Sequence, residues 1–179
     1  MKRIQQQTLD QERALYGMKD IEVVDCAFDG PADGESALKE GAGIKVERCY
    51  FNLRYPFWHD HGLVIRDSRM TELCRAALWY SDHIEITHTA LHGIKALREC
   101  SEVTLRDCDI ISPEFGWSVH GITMEHCTAQ SEYFMMRSTV QRTLRPWAAS
   151  GSLTELGASA ADCFYAVVGA FGWTWISVF

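Results

Sequence analysis

The octet IKVERCYF, Ile44 to Phe51, decides how this chain is read, because the chain writes it six times. IEVVDCAF begins at Ile21, LVIRDSRM at Leu63, IEITHTAL at Ile84, VTLRDCDI at Val103 and ITMEHCTA at Ile122. The starts are spaced by 23, 19, 21, 19 and 19 residues. Each octet opens with apolar residues at alternate positions, the period of a half-buried strand, and its β-branched content favours strand over helix. A period near 20 is too short for a helical-pair repeat, and the asparagine–leucine ladder of leucine-rich repeats is missing. It suits one coil of a parallel β-helix, in which no coil buries its apolar face alone and neighbours must stack. The expected fold is therefore all-β: a right-handed parallel β-helix with coils of about 20 residues.

The repeat accounts for most of the cysteines. Cys26, Cys49, Ser68, Thr89, Cys108 and Cys127 fall in one column, which reads as a ladder of small side chains at a tight place in the coil. A column that accepts Ser and Thr does not require a disulfide. The chain has seven cysteines, an odd number, no CxxC pair, and an N-terminus without an apolar signal region. Reduced thiols in a cytoplasmic protein are the simplest expectation.

A second strand is expected before each octet. Aligning SALKEGAG, YPFWHDHG, ALWYSDH, KALRECSE and FGWSVHG gives a mostly apolar column, Leu38, Phe57, Leu78, Leu97 and Gly116, which should point inward. The next column is Lys39, Trp58, Trp79, Arg98 and Trp117; alternation would turn it outward, whereas a turn close by would reverse it and set the tryptophans in the wide interior of the coil.

At the ends the pattern changes. Residues 1–17 are read as a cap, with a short helix over TLDQERALYG that Thr8 starts and Gly17 ends. The β-helix spans 18–138. After Arg137 the alternation stops, and 139–179 forms an atypical tail. That tail is read as a capping helix over 153–168, opened by a Ser152–Glu155 capping box, or as a frameshifted or truncated end standing in place of further coils. The uncharged run from Cys163 to Phe179 is short for a membrane span and lacks flanking positive charge, so no membrane partner is expected. An open solenoid end invites self-association.

The runs ERALYGMKDIEVVDCAFDGPADGESALKE, IKVERCYFNLRYPFW, RAALWYS, GIKALREC and SPEFGW, over about residues 12 to 138, resemble a bacterial family of unknown function, domain of unknown function 3737. The resemblance implies a right-handed parallel β-helix similar in outline to pectate-lyase-like proteins. It supplies no catalytic motif.

The 179 residues are 47% apolar, a globular composition with a net charge of −7 that argues against nucleic acid as a partner. Two chemistries remain. A catalytic reading, as a polysaccharide lyase or glycoside hydrolase, gathers His59, Asp60, Arg75, Lys95, Arg98 and Glu99, with Arg54 and Glu114, on one acidic and basic face. A binding reading takes Trp58, Trp79, Tyr80 and Trp117 as a stripe on which sugar rings stack. The triplet His59-Asp60-His61 would present both imidazoles on one strand face, with His88, His92 or Glu99 as a third ligand. The spacing closes no ligand set, so no metal or cofactor is expected. A carbohydrate-binding or scaffold-type solenoid is the expectation carried forward.

Overall fold

Alternating apolar residues in six similar octets dictate six similar strands, and these stack in parallel. The structure is a computed structural model that describes residues 1–144, 148–150, 163–169 and 172–178, with side chains over 1–139. The main sheet has eight strands in chain order along the stack: β1 (Lys2–Gln5), β2 (Ile21–Val24), β4 (Ala42–Glu47), β7 (His61–Arg66), β10 (Asp82–Thr87), β13 (Ser101–Arg106), β16 (His120–Glu125) and β19 (Thr139–Leu144). Every pair in it is parallel, and Ile44, Leu63, Ile84, Val103 and Ile122 lie in one register column. All are buried, as is Ile21.

A second sheet runs through the last two residues of each octet: β3 (Ala27–Phe28), β5 (Tyr50–Phe51), β8 (Arg69–Met70), β11 (Ala90–Leu91), β14 (Asp109–Ile111), β17 (Thr128–Gln130) and β20 (Ala148–Ser150). It ends on β21 (Cys163–Gly169) and β22 (Gly172–Val178), which pair antiparallel. The third side is built from β6 (Phe57–Trp58), β9 (Leu78–Trp79) and β12 (Leu97–Arg98), with a short two-stranded sheet of β15 (Glu114–Phe115) and β18 (Tyr133–Phe134). The molecule is thus a parallel β-solenoid.

Between the first two sheets every coil turns on one residue with a left-handed backbone. The column is Gln6, Asp25, Arg48, Asp67, His88, Asp107 and His126, with φ between 47° and 54°. From the second coil onward the residue after it points inward. Cys49 Sγ, Ser68 Oγ and Thr89 Oγ1 accept hydrogen bonds from the backbone N–H of Cys26, Cys49 and Ser68, one coil back. The small-residue ladder therefore satisfies backbone donors at a corner where the strand pairing is interrupted. Its cysteines are free, buried thiols; burial pushes Cys49 up to about 11.

Two expectations are corrected. No residue from Thr8 to Gly17 is helical; Glu12 to Gly17 form turns, and β1 pairs with β2 in the same register as the later coils. The N-terminal segment contributes a coil of its own, with Ile4 buried as Val23 is. The repeat pattern hides this coil, because Lys2 and Gln7 stand where the later coils have Ile and Cys. At the other end, strand pairing continues past Ser138 through β19 and β20, with a register irregularity between His120 and Thr123. Of the helix expected over 153–168, residues 153–162 lie outside the described residues, and Cys163–Gly169 is a strand. Among the described residues no helix is long and apolar enough to cross a membrane.

Candidate functional site

The third side of the coil carries the aromatic residues. Strand pairing sets Trp58 directly on Trp79 and Arg98 on Trp79, and a bridge links Arg98 to Trp117. Leu38, Phe57, Leu78 and Leu97 are fully buried, so the neighbouring column of Lys39, Trp58, Trp79, Arg98 and Trp117 faces outward and is half-buried. Parallel strands lie about 4.8 Å apart, which is close to the stacking distance of aromatic rings. The Trp58 and Trp79 rings stack at 5.1 Å and 13°. Lys39 Nζ sits 3.9 Å from the centre of Trp58, and Arg98 lies between Trp79 and Trp117 at 5.7 and 5.5 Å. Tyr55 packs beside both indoles. The result is a ladder of cation, indole, indole, cation, indole whose ring faces cover one another. The indole nitrogens of Trp58 and Trp79 are buried without a hydrogen-bond partner among the described residues.

The next column is again left-handed: Glu40, His59, Tyr80, Glu99 and Ser118, with φ from 51° to 63°. These side chains turn to solvent at the corner. His59 meets Glu40 at 3.3 Å and the edge of Tyr80 at 5.2 Å. Tyr80 is 44% exposed, stacks on Trp79, and shares a hydrogen bond with Glu99 that holds its phenol above the ordinary value. Arg98 pairs with Glu99 at 3.3 Å and reaches Glu114 at 4.0 Å, while Lys95 reaches Glu114 at 3.4 Å. Arg75 is exposed at a left-handed position and makes no ion pair among the described residues.

The structure thus gathers Lys95, Arg98, Glu99, Trp79, Tyr80 and Trp117 along one ridge, with His59 and Trp58 beside them. Asp60 is elsewhere. It is 1% exposed and points into the coil, where its Oδ1 accepts from the Gly41 N–H at 2.6 Å. Burial drives its carboxyl up to about 8, against the lowering effect of the Gly41 hydrogen bond. His59 and Asp60 therefore do not form an acid–base pair facing a substrate.

The reading of His59 and His61 as two ligands on one strand also fails. β6 ends at Trp58, His59 turns the corner with φ 58°, and β7 begins at His61. His88 pairs with Asp67 and Asp107, and His92 with Asp109, away from His61. What His61 meets instead is the next coil. The register sets it against Asp82, whose Oδ1 also accepts from Nδ1 of His83 at 2.6 Å. Burial acts to raise the Asp82 carboxyl, but the hydrogen bonds to His83 and His61 outweigh it and hold the group low. The same bond to Asp82 holds His83 above its ordinary value. The signal for this cluster lay in the 21-residue offset between Leu63 and Ile84, which also sets Asp82 opposite His61.

Stacked parallel coils, a small-residue corner ladder and an outward aromatic–cationic ridge define the molecule as a β-solenoid protein. Residues 2–143 match the family described as Protein of unknown function (DUF3737), and the chain belongs to that family. Neither the curated proteins nor the solved structures gave a match to the chain.

Proposed function

We propose that the protein is a carbohydrate-binding, scaffold-type solenoid whose ligand face is the ridge around Tyr80. The observation that carries this reading is how the ridge distributes its groups. Lys95, Arg98, Glu99 and Glu114 neutralise one another, and Asp60 is buried, while Tyr80 presents an exposed ring and Arg75 is exposed with no ion pair among the described residues. The indoles of Trp58 and Trp79 hold the platform, since their faces are already covered by each other, Lys39 and Arg98. A sugar ring stacking on Tyr80 would gain a few kcal/mol at most, the scale of one aromatic contact with polar edges. The same reading takes the coil as right-handed, as parallel crossovers overwhelmingly are, and similar in outline to pectate-lyase-type solenoids. It takes the protein as bacterial and cytoplasmic, in keeping with its free buried thiols.

Affinity electrophoresis of the full chain through gels cast with soluble polysaccharides tests it. The expected result is retardation by at least one polysaccharide, lost in Tyr80→Ala and Arg75→Ala with unfolding midpoints unchanged. Trp79→Ala should lose retardation and also about 1–3 kcal/mol of stability, from the stacked pair and its cation contacts. Retardation that survives Tyr80→Ala sinks the ridge as the ligand face. Cleavage of a polysaccharide that Glu99→Gln abolishes would make the same face the active site of a lyase or hydrolase.

A further inference from the structure

Around the corner from the ridge, three side chains from two adjacent coils converge. His61 Nδ1, an Asp82 carboxylate oxygen and His83 Nδ1 lie within 4.8 Å of one another. A carboxylate oxygen of Glu102, one coil further on, lies 2.9 Å from the far nitrogen of His83, Nε2. We infer that His61, Asp82 and His83 form a binding site for a borderline divalent cation of the zinc class, oriented by Glu102.

The chemistry of the donor set selects the cation. Two imidazoles and one carboxylate suit zinc and its neighbours, whereas calcium and magnesium seek all-oxygen shells. Both Nδ1 atoms are already drawn to one carboxylate oxygen. A cation would displace the protons they share with it and spread the three donors to bonds of about 2.0–2.2 Å. The donors are two exposed imidazoles and a half-buried carboxylate on neighbouring strands, so side-chain rotation can bring them together. Glu102 supplies the second element of a built site: a carboxylate on the distal nitrogen of a ligating histidine fixes its ring and tautomer, and removing such a partner typically weakens binding 10- to 100-fold. Three protein donors leave at least one position for water or a ligand oxygen. His83 and Glu102 themselves line an open groove of about 640 Å³ along the outer face of the main sheet, with Asp20, Lys45, Glu85 and Thr104 among the other lining residues.

The test variants follow from the fold. His83 turns its coil with φ 53°, in a column where Gly43, Gly62 and Gly121 hold the same place with φ from 63° to 71°. His83→Gly therefore removes the ligand and relaxes the backbone. The full-length protein, freed of metal with a chelator, is titrated with zinc chloride by calorimetry at neutral pH and by ¹⁵N NMR of the histidine side chains. The expected result is one saturable equivalent, with the Nδ1 resonances of His61 and His83 shifting together. Binding should fall at least tenfold in His61→Ala and in His83→Gly, and about tenfold in Glu102→Gln, with no heat from calcium or magnesium. No saturable zinc binding overturns the site, as does binding that persists in the His61→Ala, His83→Gly double variant.

Discussion

Asp60 occupies a position that other coils fill with Ser81, Cys100, Val119 and Ser138, all buried. Ser81 and Ser138 serve it as hydrogen-bond acceptors for the backbone N–H of Asp60 and Val119. Asp60 does the same for Gly41, but with a carboxyl whose second oxygen is buried and has no hydrogen-bond partner among the described residues. Its folded pKa, about 8, lies above the ordinary carboxyl value, so the folded state holds a proton that the unfolded state has released. The stability due to this proton is complete below the ordinary pKa and declines by about 1.4 kcal/mol per pH unit until pH passes about 8. Asp60→Asn keeps the acceptor for Gly41 and cannot ionise. Its thermal midpoint should exceed that of the parent chain by a margin that widens from pH 5 to about pH 8 and then levels off. Parallel curves would show that the carboxyl is not held neutral. At this scale the sequence misled in one definite way. His59-Asp60-His61 reads as a continuous strand, yet left-handed backbone at His59 sends the three side chains in three directions. Nothing in the residue types announces that corner, because the same column accepts Glu, Tyr and Ser.

At the scale of the element, the columns that the repeat exposed are the columns the fold uses. The apolar positions of the octets and the Leu38, Phe57, Leu78, Leu97 column were legible because period-two alternation follows directly from strand geometry. The small-residue ladder was legible as a tight place, but its purpose was not: hydrogen bonds between coils leave no periodic trace. That purpose makes a prediction at Ser68. Its Oγ accepts from the Cys49 N–H at 3.0 Å and donates to the Arg66 carbonyl at 2.7 Å. Ser68→Ala leaves a buried N–H unpaired and should cost about 1–3 kcal/mol in urea unfolding. Ser68→Thr and Ser68→Cys, which place the side chains of neighbouring coils there, should retain most of that stability. Equal loss in all three would mean that the column is chosen for volume alone.

For the whole molecule, stability in a stack is a sum of coil and interface terms, so position along the stack should set local stability. β7, β10 and β13 have a hydrogen-bonded neighbour on each side, whereas β1 has only β2 among the described residues. The amides of Leu63, Ile84 and Val103, at fully buried or nearly buried positions, should exchange slowest, and those of β1 fastest, despite an identical parallel register. Native-state hydrogen exchange at low protein concentration reads this gradient directly. Uniform protection would contradict nearest-neighbour coupling and point to one cooperative unit. The same measurement addresses the exposed edge of the main sheet. An unpaired parallel strand offers a row of backbone donors and acceptors to a second copy of the chain, and charge is the usual defence. β1 carries Lys2 and Arg3, but Lys2 stands where later coils bury an apolar residue, so the defence lies at the very position a stacked copy would have to cover. Repeating the exchange at tenfold higher concentration should therefore leave β1 as fast as before. Protection of β1 that grows with concentration would mean that the lysine is accommodated and that the solenoid extends by end-to-end association.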